Sequence, residues 1–472
     1  MIGRKSEIEK LERAFESDES EFVAVYGRRR VGKTFLVRET FNDRFAFYHT
    51  GIAGKGGSFQ LREFRKSLQG YGLNKAKTLR NWFEAFDELK RLLVNRPSGK
   101  KVVFIDEMPW LDTQRTDFIS ALEVFWNGWA VARKDILLIV CGSAASWIVK
   151  NLFRNRGGLH NRVTQRISLQ PMSLRECEML AESRGVGMSR MDIAEAYMIL
   201  GGIPYYWRYL DRKYSLAQNI DMMFFEEGAP LRYEFDDLYS SLFGRSDIYK
   251  AIVKALSGKK AGMTRGEIAV ALGKSGSGML SNALAVLEQC GFLRVYNEPQ
   301  NRKRCSIYQL IDGFTLFHFR FLERSGQFDP HFWMTMSLSP SLSAWRGIAF
   351  ERLCLLHREQ LRSALGISGV HVEAYGWSHR PDENCPEGAQ IDLILQRVDH
   401  VVNVCEMKFT REPFVITKNY YSDLQRKIAV FKATAKIDGA VHLTMISASG
   451  ILRNEYRNGI QSEVTLDDLF AF

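Results

Sequence analysis

The stretch that decides the fold is residues 27–34, which read Gly27-Arg28-Arg29-Arg30-Val31-Gly32-Lys33-Thr34. An apolar run from Phe22 to Tyr26 precedes it, and a segment compatible with a helix follows through Glu39. The two glycines allow a sharp turn that brings backbone N–H groups around a polyphosphate, and the helix that follows directs its positive dipole end at the same anion. We therefore expect a phosphate-binding loop. The alternative is a Gly-rich strand-to-helix turn with basic surface residues.

Two side chains of this loop have predicted tasks. Lys33 is expected to reach the β- and γ-phosphates of a nucleoside triphosphate, and Thr34 is expected to ligate Mg²⁺. The whole loop, from Gly27 to Thr34, is predicted to contact the nucleotide. ATP and Mg²⁺ are therefore the expected cofactors.

Composition places the chain among ordinary globular proteins. It has 472 residues, of which 46% are hydrophobic and 25% charged, which leaves room for about three domains. The formal charge of +11 favours a polyanionic partner, although many basic proteins bind no nucleic acid. Seven scattered cysteines without a Cys-x-x-Cys pair predict a reducing, cytoplasmic setting. The longest apolar segment, Ile136 to Val149, is too short to span a bilayer, so no membrane association is expected.

A second nucleotide signal follows the apolar run 102–105, which ends in the carboxylates Asp106 and Glu107. At the C-terminal end of a parallel strand, Asp106 is predicted to hold Mg²⁺, and Glu107 to orient and deprotonate the attacking water. An acidic pair at a strand end is also common in solvated turns. Its combination with the phosphate-binding loop favours the metal site.

Further along, a buried strand from Ile136 to Cys141 ends in Gly142-Ser143. Ser143 is predicted to sense the γ-phosphate, although Gly-Ser after a strand is also a plain turn. A segment rich in guanidinium groups follows, with Arg154, Arg156, Arg162 and Arg166. Any of these could act as an arginine finger, and Arg162 is the first candidate; a solvated basic surface is the alternative.

Two local signals predict where elements begin or end. Ser6 is expected to cap the first helix, with Glu9 reaching back in a capping box. Pro330, Pro340 and the Ser-rich stretch 336–343 predict a linker before the last domain.

The middle of the chain is predicted to be mainly helical. Helical periodicity from Ser173 to about Tyr239, broken by Gly-Gly-Ile-Pro-Tyr-Tyr at 201–206, predicts a lid near the nucleotide, with a plain helix junction as the alternative. Residues 247–312 then read as three helices and a two-stranded hairpin, the order of a winged helix. That segment holds ten Lys and Arg against five Asp and Glu, with Arg302-Lys303-Arg304 at the hairpin tip. We predict DNA contact there, with a protein-binding module as the alternative.

Together these motifs resemble the archaeal-type P-loop ATPases of the AAA/STAND group. The resemblance rests on Ile2-Gly3-Arg4, the phosphate loop, the Phe-Ile-Asp-Glu strand end, the later Gly-Ser and the 201–206 segment. It implies a nucleotide-driven switch with slow or regulated hydrolysis, in which Gly3, Arg4 and Pro204 lie near the nucleotide. Members of this group usually show Leu-Tyr-Gly-Arg where this chain has Leu159-His160-Asn161-Arg162.

The last part of the chain carries a second set of candidate residues. Asp392 lies in a predicted strand, Gln390 to Gln396, and Glu406 and Lys408 lie in the next strand, Val401 to Phe409. Residues two apart in a strand share a face, so Glu406 and Lys408 point the same way beside the strand of Asp392. Asp392 and Glu406 are predicted to bind a cation that polarises a scissile phosphate, and Lys408 to stabilise developing negative charge. The alternative is a Glu406–Lys408 ion pair on an ordinary half-buried strand.

This arrangement resembles the PD-(D/E)xK restriction-endonuclease-like fold. The order of the chain is similar to an architecture in which an archaeal-type ATPase carries a C-terminal "domain of unknown function 234". The resemblance adds Glu351 to the candidate nuclease site. The sequence departs from the motif at Gln390-Ile391-Asp392, where the Pro that precedes the Asp in the motif is absent.

The predicted fold class is α/β with four parts. These are a P-loop parallel-sheet ATPase core at residues 1–170, a helical lid at 171–243, a winged helix at 244–326 and a restriction-endonuclease-like α/β domain at 327–472. The leading hypothesis is an ATP-dependent enzyme that binds nucleic acid, with DNA expected, and cleaves it. The alternatives are a regulatory nucleotide switch with an inactive nuclease-like domain and a transcriptional regulator acting through the winged helix. The sequence leaves homo-oligomerisation open.

Overall fold

The computed structural model describes most of the chain. The described residues are 1–113, 116–143, 145–153, 157–243, 246–273, 278–297, 306–323, 329–337, 339–383, 385–435, 437 and 439–471. The chain divides into two compact units, Met1–Pro171 with Ser240–Gly244, and Met172–Tyr239 with Arg245–Phe472. Each unit has its own β-structure and its own buried apolar core.

The first unit is built around a five-stranded parallel sheet with the order β2-β3-β4-β1-β5. Its strands are β1 (Glu21–Tyr26), β2 (Phe47–Thr50), β3 (Lys101–Asp106), β4 (Ile136–Gly142) and β5 (Gln165–Ser168). Its helices are α1 (Lys5–Glu16), α2 (Lys33–Phe41), α3 (Gly57–Gly70), α4 (Trp82–Val94), α5 (Phe118–Phe125) and α6 (Ala145–Ile148). Every residue of β3 and β4 is buried, as in a parallel sheet covered on both faces. The predicted α/β class with a parallel sheet is confirmed for this unit.

Helix α1 begins earlier than the sequence predicts. Its N-cap is Arg4, which has a φ of 61° and makes no side-chain cap hydrogen bond. The predicted Ser6–Glu9 capping box is therefore wrong. A left-handed turn at Gly3 (φ 63°) and Arg4 starts the helix first, and Ser6 already lies inside its first turn.

The second unit starts with a group of helices. They are α7 (Leu174–Ser183), α8 (Arg190–Leu200), α9 (Pro204–Trp207), α10 (Leu216–Phe224) and α11 (Glu234–Phe243), the last of which ends in the first unit. Capping boxes led by Ser173, Ser189 and Ser215 fix the starts of α7, α8 and α10. The break after α8 requires glycine, because a Cβ on Gly202 would lie 2.0 Å from Met172 O. The predicted helical character of this stretch is thus present.

Three helices and a small antiparallel sheet follow. They are α12 (Asp247–Ser257), β6 (Met263–Thr264), α13 (Arg265–Ala271), α14 (Gly278–Gln289), β7 (Leu293–Tyr296) and β8 (Ile307–Leu310), with the sheet order β6-β8-β7. Thr264 and Glu267 form a capping box at the start of α13. Of the predicted Gly/Ser turn at 274–278, only Gly278 is described, and it is the first residue of α14. The predicted hairpin tip (302–304) lies outside the described residues.

The rest of the second unit holds a mixed five-stranded sheet with the order β13-β12-β11-β10-β9. Its elements are α15 (Gly313–Phe317), α16 (Phe332–Met336), α17 (Pro340–Leu356), α18 (Arg358–Ala364), β9 (Val372–His379), β10 (Ala389–Arg397), β11 (Val401–Lys408), α19 (Lys418–Ala435), β12 (Ala440–Ser447) and β13 (Ser462–Thr465). Strands β9, β10 and β11 pair antiparallel, whereas β11, β12 and β13 pair parallel.

The predicted linker at 336–343 is wrong at its C-terminal end. Ser339 caps helix α17 by accepting a hydrogen bond from Leu342 N, and Pro340 is the first helical residue. Proline is well suited to that position, because its missing N–H would have no partner inside the helix.

Helices in the described ranges are short compared with a bilayer. A membrane-spanning helix needs about 20 mainly apolar residues. The helix α19 has 18 residues and carries several charges. Within the described part of the chain, no helix meets the requirement.

Candidate functional site

The loop between β1 and α2 owes its shape to its two glycines. Gly27 has a φ of 145° and Gly32 a φ of 93°, both in the region that disfavours side chains. A Cβ on Gly27 would also lie 2.3 Å from Leu169 O. Between them, Val31 is buried, and Arg29 and Arg30 are half-buried. The loop therefore turns sharply just before the N-terminus of α2.

Lys33 lies inside this loop. Its side chain is almost fully buried, and its Nζ donates hydrogen bonds to Gly27 O at 3.1 Å and to Arg28 O at 2.8 Å. The ammonium group is thus held at the centre of the loop, where a bound polyphosphate would meet a positive charge.

Thr34 and Asp106 meet at the ends of neighbouring elements. Thr34 Oγ1 donates a hydrogen bond of 2.7 Å to Asp106 Oδ2, and Asp106 Oδ1 accepts one of 2.9 Å from Glu107 N. A hydroxyl and a carboxylate side by side are hard oxygen donors of the type that Mg²⁺ prefers. The donor set therefore fits the predicted cation.

Glu107 is held by the predicted sensor residue. Its backbone has a φ of 44°, and its Oε2 accepts hydrogen bonds from Ser143 Oγ at 3.0 Å and from Ser143 N at 3.3 Å. Strands β3 and β4 are adjacent and parallel, so their carboxyl ends bring these two residues together. Ser143 thus fixes the orientation of the Glu107 carboxylate.

Two titratable groups near these strand ends have raised pKa values. Burial, and then the charge of Asp106, raise the pKa of Tyr48 to about 12. The same two causes, in the same order, raise the pKa of the Cys141 thiol well above its usual value. The charge of Asp106 is thus felt at both groups, and it favours a cation beside this carboxylate.

The other predicted nucleotide residues lie in three further segments of the chain. Gly3 and Arg4 form the left-handed turn before α1, where the buried Arg4 lies 3.9 Å from Glu7. Arg162 is exposed in the turn before β5. Pro204 begins α9 in the second unit. Arg154 and Arg156 lie outside the described residues, and the roles of all these residues remain predictions.

In the second unit, Glu351 and Asp392 both form an ion pair with the ammonium group of Lys260. Lys260 Nζ lies 2.8 Å from Glu351 Oε1 and 3.0 Å from Asp392 Oδ2. Burial, followed by the charge of Asp392, raises the pKa of Glu351 to about 7, although Lys260 opposes the shift. Glu351 comes from α17 and Asp392 from β10. Two segments that are far apart in the sequence therefore meet at Lys260, which belongs to a third.

Glu406 lies in a second group, on β11. Its Oε1 lies 3.1 Å from Lys408 Nζ and accepts a hydrogen bond of 2.8 Å from Tyr420 OH, and its Oε2 lies 3.4 Å from Lys427 Nζ. Although burial acts in the opposite direction, Lys408 and Lys427 keep the pKa of Glu406 below its usual value. Burial and the charge of Glu406 raise the pKa of Tyr420, and the charge of Asp392 adds to this shift.

The structure thus distributes the predicted nuclease residues over two neighbouring groups. Across the described ranges, no three His, Cys, Asp or Glu side chains are arranged to hold a metal ion. The sequence reasoning missed Lys260, Tyr420 and Lys427. Tyr420 and Lys427 are seven residues apart in α19 and so lie on one helix face, a spacing that could have indicated them. No sequence signal marks Lys260.

The loop, the strand-end carboxylates and the parallel sheet define a P-loop nucleotide-binding domain. Residues 1–210 match the family model described as an ATPase domain predominantly from Archaea. Residues 1–210 are therefore similar to an archaeal-type ATPase domain.

Similarity also extends beyond this domain. The chain is 24% identical over 445 residues to the uncharacterized protein MJECL04 of Methanocaldococcus jannaschii, across 90% of this chain and 91% of that one. It is 40% identical over 43 residues to the uncharacterized ATP-binding protein MJ0423 of the same organism, across 9% of this chain and 73% of the other.

Two solved structures are similar in part. The Walker-type ATPase PABY2304 of Pyrococcus abyssi has a TM-score of 0.49 at 19% identity, over 68% of this chain and 96% of the other. The ORC2 protein of Aeropyrum pernix, solved as ADPNP-ADP complexes, has a TM-score of 0.42 at 15% identity, over 67% of this chain and 92% of the other.

Proposed function

We propose that the chain is an ATPase whose nucleotide state controls DNA binding and metal-dependent DNA cleavage by its C-terminal half. The ATPase part rests on the archaeal-type ATPase domain and on the cluster of Lys33, Thr34, Asp106, Glu107 and Ser143. The observation that carries the cleavage part is the meeting of Glu351 and Asp392 at one cation, beside the strand of Glu406 and Lys408.

In the ATPase site, the residues of this chain have separate roles. The loop N–H groups and Lys33 bind the phosphates, and Thr34 with Asp106 would hold Mg²⁺, which neutralises phosphate charge when bound. Glu107, oriented by Ser143, accepts the proton of the attacking water. Arg162, Gly3, Arg4 and Pro204 are additional proposed nucleotide contacts.

In the C-terminal half, Glu351, Asp392 and Glu406 are the proposed carboxylate ligands. Glu406 would have to join the other two when a cation binds, because the described residues contain no ready group of three. A divalent cation bound there would polarise the scissile phosphate. Lys408 stabilises the charge that develops on it, and Tyr420 positions Glu406 through their 2.8 Å hydrogen bond. The adjacent Lys427 adds positive charge that favours a phosphodiester substrate.

Residues 244–326 are the proposed DNA-binding part, as a winged helix. The exposed face of α14 carries Ser281 and Asn282, whose side chains can bond to base edges. Arg265 Nε donates a hydrogen bond of 2.8 Å to Ser281 Oγ, which places a guanidinium group beside that face. The net positive charge of this segment supports contact with phosphates.

The test is cleavage of supercoiled plasmid and single-stranded DNA with Mg²⁺ or Mn²⁺, with and without ATP. We expect cleavage by the intact chain and its loss in Glu406→Gln, which keeps the side-chain shape and removes the charge. The matched control is Glu383→Ala, because Glu383 is an exposed carboxylate in the loop before β10. Equal cleavage by the wild-type chain and Glu406→Gln would contradict the proposal.

A second candidate function is a regulatory ATP switch whose C-terminal half binds DNA or a partner without cutting it. The observation in its favour is that both Glu406 oxygens already have lysine or tyrosine partners. Nucleotide-dependent DNA binding with no cleavage of any substrate would support this function over the first.

A further inference from the structure

The turn that carries Lys260 connects two parts of the second unit. It lies between α12 and β6, in the proposed DNA-binding segment, whereas its ion-pair partners lie on α17 and β10. Lys260 O accepts hydrogen bonds from Arg352 Nη2 and, at 2.6 Å, from Gln309 Nε2. Tyr296 OH donates one of 2.7 Å to Ala261 O. The backbone of the turn is therefore fixed, and its lysine is aimed at the carboxylates.

The carboxylate pair is only partly satisfied by this lysine. Glu351 is 7% exposed, and its Oε2 is buried with no hydrogen-bond partner among the described residues. A buried carboxylate oxygen without a partner is costly, and a cation that binds both oxygens of Glu351 would remove that cost. An ammonium group meets only one oxygen of each carboxylate here, at 2.8 and 3.0 Å.

The positions of these oxygens also suit a divalent cation. Glu351 Oε1 and Asp392 Oδ2 both lie within 3.0 Å of Lys260 Nζ, and Mg²⁺ binds carboxylate oxygens at about 2.1 Å. An inward shift of each oxygen by about 1 Å would therefore be enough once the nitrogen has left. The Lys260 side chain is 37% exposed, so it borders solvent.

We propose that the Lys260 ammonium occupies the divalent-cation position between Glu351 and Asp392, so that a cation binds there only when Lys260 withdraws. This inference rests on the proposed nuclease site and specifies how that site is kept inactive. Lysine and metal are alternatives, because two cations at one point repel each other and the buried Glu351 beside the partly exposed Asp392 needs one of them.

The test measures Mn²⁺ binding to the full chain without nucleotide. Electron paramagnetic resonance monitors the Mn²⁺ that remains free. We expect Lys260→Ala and Lys260→Gln to bind one additional Mn²⁺ at least tenfold more tightly than the wild-type chain. Lys260→Gln keeps a polar but uncharged side chain that is one atom shorter than lysine, and circular dichroism checks the fold of both variants. Lys259→Ala is the matched control, because Lys259 is the exposed neighbour in the same turn. Adding Glu351→Gln to Lys260→Ala is expected to abolish the gain.

The outcomes separate this inference from the proposed function. Equal Mn²⁺ affinity in the wild-type chain and in folded Lys260→Ala would overturn the inference, even if DNA is cleaved. A gain in Mn²⁺ affinity without DNA cleavage by any variant would support the inference and overturn the nuclease function. A gain that survives Glu351→Gln would place the cation elsewhere and also overturn the inference.

Discussion

Ser143 Oγ donates a 3.0 Å hydrogen bond to Glu107 Oε2, which ties the carboxyl ends of β3 and β4 together. We therefore expect any influence of Ser143 on ATP hydrolysis to pass through the orientation of Glu107. The proposed base and the proposed γ-phosphate sensor therefore form one functional pair.

Glu107→Gln is expected to lower the ATP hydrolysis rate by roughly 100-fold or more, because a positioned general base contributes that much. Glutamine keeps an oxygen that accepts the Ser143 hydrogen bond, so ATP affinity should stay near the wild-type value. Phosphate release and equilibrium nucleotide binding measure the two quantities. Hydrolysis that persists in this variant would exclude Glu107 as the base.

Ser143→Ala is expected to lower hydrolysis less than Glu107→Gln does. Because Ser143 acts through Glu107, the double variant should hydrolyse ATP no more slowly than Glu107→Gln alone. Multiplicative losses in the double variant would instead show that Ser143 contacts the nucleotide independently.

Thr34→Ala is expected to weaken Mg²⁺-dependent ATP binding by at least about tenfold, because it removes a hydroxyl ligand next to Asp106. Thr34→Ser keeps the hydroxyl and should restore most of the affinity. Fluorescent nucleotide binding, with Mg²⁺ and with EDTA, separates the cation-dependent part. Equal affinities of the alanine and serine variants would contradict this role for Thr34.

Gly202→Ala is expected to lower the free energy of unfolding by about 1 to 3 kcal/mol, because its Cβ would lie 2.0 Å from Met172 O. That contact would also disturb the 2.7 Å hydrogen bond from Met172 N to Gly202 O. The matched control is Gly187→Ala, at an exposed position with no atom within 4 Å of the added Cβ. Chemical denaturation compares them, and equal stabilities would contradict the prediction.

Acidification is expected to destabilise the second unit through His357. Its Nε2 accepts a hydrogen bond from Leu174 N at 3.2 Å, and burial lowers its pKa to about 4. The unfolded chain, with a histidine pKa of about 6.5, binds the proton first, so this contribution is complete above pH 6.5 and is lost as pH falls through 6.5 toward 4.

At pH 5 the loss amounts to about 2 kcal/mol for this histidine alone. His357→Gln, which keeps an acceptor for Leu174 N, should remove this loss of about 2 kcal/mol at pH 5. His371→Gln, at an exposed position, is the control and should keep the wild-type profile. An unchanged pH dependence in His357→Gln would contradict the assignment.

The ATPase site was accessible from sequence because its determinants are local. A phosphate loop encodes its own turn through Gly27 and Gly32, and an apolar strand that ends in Asp106 and Glu107 encodes its own position at a sheet edge. Parallel pairing of β1, β3 and β4 then brings the strand ends together without any further information.

Prediction failed where a neighbouring residue competed for the same local role. Ser6 has the chemistry of a helix cap, but the left-handed Arg4 starts the helix before it. The Ser-rich stretch around Ser339 has the composition of a linker, but one serine and one proline in the right order start a helix instead. Composition alone does not distinguish these cases.

The lysine between the carboxylates could not be found from sequence at all. Lys260 and Asp392 are separated by 132 positions, and a lysine in a turn normally remains in solvent. Only the packing of α17 and β10 against this turn gives the lysine its partners.

Lys33 has a consequence for nucleotide affinity. Its two hydrogen bonds, to Gly27 O and Arg28 O, mean that the loop is already folded around its own positive charge. A nucleotide exchanges these bonds for bonds to phosphate, so the gain on binding is a difference between two sets of bonds. Replacing the lysine would remove the two hydrogen bonds that stabilise the loop as well as a phosphate ligand. The loop of a Lys33→Ala chain should therefore lose order before any nucleotide is added.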